Sequence, residues 1–370
     1  MEKAKISAGQ LFALIFLFEM GTALVVSLGL KAEKDAWLAI LLGLAGGLLL
    51  FLVYTSLYKL YPALPLTGYL RAILGKWIGW PACLLYIIFF LYGAARDLRD
   101  GGELLTASFL DQTPVFVNLA IMILSVGYVL NKGIEVFSRT AQICMVVMFA
   151  AGFISNFLMY ASGIADYHQL LPVLAKGWEP VVNTAATQTF EFPFSELICF
   201  TMLFPYLNDP KNGVRAGFAA VLFSGLTLSF SIAMYIAVLG VDIAGRATFP
   251  LLSAISMINI GEFIQRLDVF AVLTLIIGDF FKVGIFFYAA VIGGADLFRI
   301  QDYRKLVYPF ALLILIISMI IASNFAEHIE EGNFALRTVF LLFGVAIPLL
   351  LWAAARFRRL VEKKNPPPFE

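Results

Sequence analysis

The stretch Thr189-Phe190-Glu191-Phe192-Pro193-Phe194-Ser195-Glu196 sets two carboxylates and a proline inside an otherwise apolar segment, 178–206. Proline has no amide hydrogen to donate, and its ring crowds the carbonyl four residues earlier, so a helix running through this stretch must kink or break. A second stretch, Phe18-Glu19-Met20-Gly21-Thr22, places a carboxylate and a glycine halfway along the first apolar segment, 8–29, which can break there too. The two interrupted segments open the two halves of the chain, five helices apart. Under an inverted five-plus-five repeat their breaks coincide at mid-membrane, where unwound backbone forms a ligand site. The plainer reading is a proline kink and an incidental glycine, both common in membrane helices.

Composition puts these segments in a bilayer. Of 370 residues 61% are hydrophobic and 14% charged, against about 25% charged in soluble domains, and the mean hydropathy is +0.90. Apolar runs such as 38–58, 143–161, 218–241 and 339–355 approach or exceed the ~20 residues that cross ~30 Å of hydrocarbon. Ten helices are expected, near 8–29, 36–59, 78–110, 114–131, 135–161, 178–206, 213–240, 263–297, 305–323 and 334–356. They form one polytopic all-α domain over 1–370 with short tails, ending in Pro366-Pro367-Pro368. Gly75–Pro81 and Leu171–Pro180 read as interfacial or re-entrant connectors, with Trp77, Trp80 and Trp178 at headgroup depth.

Alternate loops carry the positive charge: Lys59, Arg71 and Lys76; Lys132 and Arg139; Lys211 and Arg215; Arg299, Arg304 and Lys305; and Arg356, Arg358, Arg359, Lys363 and Lys364. The opposite loops hold Lys31, Lys34, Lys176, Arg246, Arg266 and Arg337 together with Glu327, Glu330 and Glu331. The positive-inside rule then expects both termini in the cytoplasm and an even number of crossings. The opening Met1-Glu2-Lys3-Ala4-Lys5 is followed by a segment containing Glu19 with no small-residue cleavage site, which reads as a retained first helix. Cys83, Cys144 and Cys199 lie in apolar stretches without metal-like spacing, so no disulfide framework is implied. His168 and His328 both fall in outward loops, and no nucleophile motif, metal site, cofactor site or nucleic-acid footprint is visible.

Charges inside the membrane are expensive and therefore informative. Arg96, Asp97, Arg99, Asp100 and Glu103 cluster on the third helix, where i,i+4 spacing pairs Arg96 with Asp100 and Arg99 with Glu103. The cluster reads as a self-paired network lining a vestibule, or as a ligand contact through Asp97 beside Gly93-Ala94-Ala95. Lys282, one turn after Asp279 on the eighth helix, reads as a fixed ion pair with Asp279 or Glu19, or as a coupling group. Phe18, Glu19, Met20, Gly21, Thr22, Phe190, Phe194 and Glu196 flank the breaks, with Glu191 and Phe192 beside them. Half-helix amides suit a ligand carboxylate and acidic side chains suit its ammonium, so the combination fits a zwitterionic amino acid or a similar amine. Each phenylalanine also has an ordinary packing reading, since 35 occur in the chain. Gly43 and Gly47 form a small-xxx-small face for close helix packing, with subunit contact as the alternative.

A run of short motifs resembles the spore germination B-subunit family, the permease-like subunits of nutrient germinant receptors in endospore-forming bacteria. They are Ile6-Ser7 with Gln10-Leu11-Phe12, Asp35-Ala36-Trp37, Leu74-Gly75-Lys76-Trp77-Ile78-Gly79, Thr113-Pro114, Lys132-Gly133-Ile134-Glu135 with Arg139, Leu170-Leu171-Pro172-Val173 then Gly177, Phe194-Ser195-Glu196, and Phe249-Pro250 ahead of Lys282. That family is similar to the amino acid, polyamine and organocation transporters, whose first and sixth helices are broken. The resemblance implies a membrane receptor subunit in the spore's inner membrane or the cell membrane, with an A-type membrane subunit and a C-type lipoprotein as partners. In the resembled fold the eighth helix meets the first near its break, where sodium-coupled members bind an ion, and Lys282 stands where it can substitute for that cation. Ser195 replaces the usual glycine before Glu196, and Glu19 is unusual at its position, so ligand choice is open. The functions to separate are a nutrient-sensing receptor subunit, a proton-coupled amino acid transporter, and a ligand-free scaffold or pore.

Overall fold

In a computed structural model, residues 5–258 and 267–364 are described, with side chains to 360. The expected start of the eighth helix at 263, Arg266, Met1–Ala4 and Pro366–Pro368 lie outside these residues, as do the side chains of Lys363 and Lys364. Among the described residues the chain is almost wholly helical, with no strand and a single isolated bridge between Ile6 and Leu207.

The helices are α1 Ala8–Met20, α2 Ala36–Leu60, α3 Leu66–Ser108, α4 Val115–Lys132, α5 Ile134–Ala161, α6 Glu179–Thr184, α7 Pro210–Arg246, α8 Pro250–Ser256, α9 Asp268–Leu297, α10 Arg304–Ile320, α11 Phe325–Ala335 and α12 Ile347–Lys364. Among the described residues, seven helical stretches are long and apolar enough to cross a membrane: 30–60, α3, α4, α5, α7, α9 and 325–360. The other three expected spans are α1, of 13 residues, the interrupted stretch after α6, and α10, of 17 residues. Exposed apolar side chains such as Ile121, Ile143, Phe153 and Ile320 cover the outside, as a hydrocarbon solvent requires. The chain is a multi-pass membrane protein.

Local chemistry sets the ends. Ser7 and Gln10 cap α1 reciprocally, Ser7 Oγ accepting from the Gln10 amide at 3.2 Å and Gln10 Oε1 from the Ser7 amide at 2.8 Å. Asp209 caps α7 by accepting from the amides of Lys211 and Asn212, both at 3.1 Å. The chain just before Ser7 is held against the end of the sixth segment, where the Ile6 amide donates to the Tyr206 carbonyl at 2.8 Å.

Two expectations need correction. Gly75–Pro81 is not a connector: helix forms on both sides of Gly75, which takes φ 78° and redirects α3, because Leu66, Leu70 and Ile73 have a buried face to fill. His328, Glu327, Glu330 and Glu331 are not in a loop but on α11, capped by Asn324, and His328 is fully buried. The expected eighth span is present as α9, its number in element order being higher because the short α8 precedes it. Of the expected connector Leu171–Pro180, residues 171–178 stay irregular and the last two open α6; the irregular part is clamped to the start of α2, with the Leu174 amide donating to Asp35 at 3.0 Å.

Candidate functional site

The first interrupted segment leaves the α-helix where the sequence predicted, and the sixth leaves it at Thr184, ahead of the predicted stretch 189–196. α1 stops at Met20, Gly21 takes φ 4° and ψ −129°, and a short 3₁₀ turn, Thr22–Leu24, follows. After α6 the chain widens into a π-turn over Ala185–Thr189, passes irregularly through 190–193 and continues as a 3₁₀ helix from Phe194 to Met202.

The two breaks are held by close contacts at glycine. A Cβ on Gly278 of α9 would lie 2.9 Å from the Gly21 Cα, and a Cβ on Gly21 would lie 2.6 Å from the Lys282 Cδ. Backbone therefore meets backbone at the first break. On α2, Gly43 faces Thr189, Gly46 faces Phe190 and Gly47 faces Phe194, each with room for hydrogen only. The small-residue face of α2 thus receives the second break.

Lys282 joins the pieces. Its fully buried ammonium lies 2.7 Å from Glu196 Oε2 and 3.5 Å from Asp97 Oδ1, and 4.0 Å from the centre of the Phe192 ring. This corrects the expected pairing: among the described residues neither Asp279 nor Glu19 lies within ion-pair reach of it, and the oxygens of both are buried without a hydrogen-bond partner. Asp279 instead abuts Gly101 of α3. Helix azimuth decides this, since Asp279 lies along α9 toward α3 whereas Lys282 points at the breaks.

A cavity of about 490 Å³ lies beside this pair. Thr22, Asp97 and Glu196 line it together with Arg96, Asp100, Gln188 and Phe192, and α11 closes one wall through Ile329, Gly332 and Asn333. Arg96 reaches Glu331 at 3.3 Å and Asp100 at 3.9 Å, and His328 Nε2 meets Asp100 Oδ1 at 2.7 Å, so α11 docks on α3 through an ion pair and a hydrogen bond. Tyr92 also donates to Glu331.

The remaining expected site residues fall elsewhere. Phe190 and Phe194 pack on α2, and Gly93 packs against Phe286. Phe18 sits edge-on to Phe200, its ring centre 5.7 Å from the Lys282 ammonium. Met20 turns to a different, apolar cavity. Arg99 pairs with Glu103 at 2.6 Å and points its guanidinium at the Ser318 carbonyl of α10. Sequence reasoning missed His328 and Glu331 as members of the constellation. Their i,i+3 spacing ahead of an apolar run, with Glu331 opposite in sign to Arg96 and His328 able to hydrogen-bond Asp100, was the available signal.

A bundle of apolar helices with two broken segments around a buried polar cavity has the architecture of a transporter-type membrane protein. The fold is similar to that of a nucleobase-cation-symport-1 family transporter solved in a closed conformation with bromovinylhydantoin bound, with a TM-score of 0.64 at 13% identity, covering 98% of this chain and 80% of that one. The chain belongs to the spore germination protein family, whose sequence profile matches residues 5–326. It is 44% identical over 367 residues to Spore germination protein KB of Bacillus subtilis (strain 168), covering 99% of this chain and 98% of that protein. Spore germination protein YndE of the same organism is 26% identical over 90% of each chain. Spore germination protein XB of Bacillus anthracis is 21% identical over 88% of this chain and 91% of its own.

Proposed function

We propose that this protein is the membrane subunit of a nutrient germinant receptor that binds a small amine-bearing nutrient, an amino acid being the first choice, in the polar cavity between its two breaks. One observation carries the reading: two buried carboxylates, Asp97 and Glu196, share the single ammonium of Lys282, and Asp97 Oδ2 has no hydrogen-bond partner among the described residues. Counted as ionised, the trio is one positive charge short, and a ligand ammonium supplies it. Arg96, on the same cavity, suits the ligand carboxylate. A ligand that binds one state more tightly than another shifts the equilibrium between them, and that shift is the signal. The partners in this reading are an A-type membrane subunit and a C-type lipoprotein.

In the same reading the seven long spans, α1, the interrupted sixth segment and α10 make ten crossings in an inverted five-plus-five repeat. Both termini lie on the cytoplasmic side of the spore's inner membrane or the cell membrane. The competing reading is a proton-coupled amino acid transporter, which the transporter-like fold and the unpartnered carboxylates of Glu19 and Asp279 favour.

Uptake and binding separate the two. The protein alone in vesicles is expected to bind a germinant saturably without accumulating it under a proton gradient, whereas gradient-driven accumulation would make it a transporter. Asp97→Asn is expected to weaken binding about 10- to 100-fold, the worth of a charge-assisted hydrogen bond of ~1.5–3 kcal/mol. Unchanged affinity would remove Asp97 from the site.

A further inference from the structure

We propose that the apolar cavity on the far side of the α1 break seats an acyl chain of a phospholipid from the surrounding bilayer. This cavity measures about 550 Å³, lies between α5 and α7, and has Phe16, Met20 and Leu24 of the first segment as its floor. Its mouth faces hydrocarbon. α5 and α7 are both long and apolar enough to cross a membrane, and the lining residues Phe153, Phe157 and Phe230 are 73%, 57% and 55% exposed.

The rim is suited to a lipid. Tyr160 lies in the last turn of α5 and Tyr167 just beyond it, so both line the cavity where that helix leaves the apolar layer and where tyrosine meets headgroups. Deeper in, Phe16 stacks on Phe149 at 4.6 Å and touches Phe223 at 5.6 Å, closing the inner end with rings. An unfilled void there forfeits dispersion contacts on every wall, and an acyl chain restores them without needing hydrogen-bond partners.

Position gives the cavity a consequence for the rest of the molecule. Along the α1 break Met20 and Leu24 line the apolar cavity while Thr22 and Val26 line the polar one. The Tyr235 hydroxyl of α7 donates to the Leu24 carbonyl at 3.1 Å, tying the same turn to the apolar wall. A seated chain therefore packs on the back of the turn that shapes the polar cavity. The proposal is independent of what the polar cavity binds.

The test uses the full chain in phosphatidylcholine vesicles whose acyl chains carry a diazirine, with adducts mapped by mass spectrometry after illumination. Leu24 and Phe149 line the cavity and are half-buried, whereas Leu312 and Ile316 on α10 are open to any lipid. Adducts are expected at Leu24 or Phe149 as well as on α10. A Cβ on Gly152, which lines the cavity, meets nothing within 4 Å among the described residues, so Gly152→Trp and the milder Gly152→Leu should plug it, removing adducts at Leu24 and Phe149 and keeping those on α10. The proposal is overturned if the unaltered protein labels on α10 but not at Leu24 or Phe149, if the plugged variants label there as before, or if only a free diazirine fatty acid reaches the cavity.

Discussion

Lys282 is the residue on which the interior depends. Removing one partner of a buried ion pair strands the other charge, at a cost of about 3–5 kcal/mol. Lys282→Ala, which leaves Asp97 and Glu196 facing each other, is therefore expected to lower the unfolding temperature of the solubilised protein sharply, and Glu196→Gln in the same chain to recover part of the loss. Lys176 pairs with Glu33 at 2.5 Å on the surface, where a pair is worth about 0–1 kcal/mol, and Lys176→Ala should change little. Equal shifts would refute the difference. The cost of an ammonium in the middle of an apolar helix was legible in the sequence, but its partners were not. They come from α3 and the second break, and only the azimuths of three packed helices bring them to one point. The phenylalanines divide in the same way. Phe194 is buried against Gly47 of α2 and Phe192 lines the polar cavity. Phe194→Ala should cost about 3–5 kcal/mol of stability with nutrient affinity kept in the folded fraction, and Phe192→Ala should weaken affinity while disturbing stability less. Binding and thermal unfolding measured on both variants check this, and the reverse pattern would exchange their roles.

At the scale of the element, the two breaks are written locally and were readable for that reason. Pro193, between Glu191 and Glu196, disrupts an α-helix on its own, and Gly21, two residues after Glu19, weakens one enough for packing to complete the break. What surrounds them was less readable. Gly43 and Gly47 announced a close approach but not its partner, which is the second break itself. α11 was read as loop because Glu327, His328, Glu330 and Glu331 look too polar to cross a membrane, yet the buried side of that helix spends His328 and Glu331 on α3. The glycine contacts yield a paired prediction. Gly278→Ala pushes a methyl into the Gly21 backbone, where overpacking costs about 1–3 kcal/mol or more. Gly152→Ala adds a methyl to an open place on α5 and should be neutral or gain up to about 1 kcal/mol from helix propensity. Unfolding of the two variants side by side decides it; equal destabilisation would contradict the contact at the first break.

Across the whole molecule, two cavities lie on opposite sides of one broken helix, a polar one walled by α3 and α11 and an apolar one walled by α5 and α7. The polar one was expected between the two breaks, though not its wall from α11, and the apolar one was not expected at all, because a cavity is the space left between segments distant along the chain. The bilayer setting was legible from apolar length alone, and the family from short motifs in order, which the match over residues 5–326 makes plain. The claim that joins these observations is that the nutrient sits between the two breaks. It is tested most directly by cysteine protection, with Cys83, Cys144 and Cys199 replaced and single cysteines placed at Thr22 on the first break, Gln188 on the second, and Phe157 in the apolar cavity. A nutrient that triggers germination should slow alkylation at positions 22 and 188 together and leave position 157 unchanged. Alkylation at 22 and 188 that proceeds at the same rate with and without saturating nutrient would contradict the account.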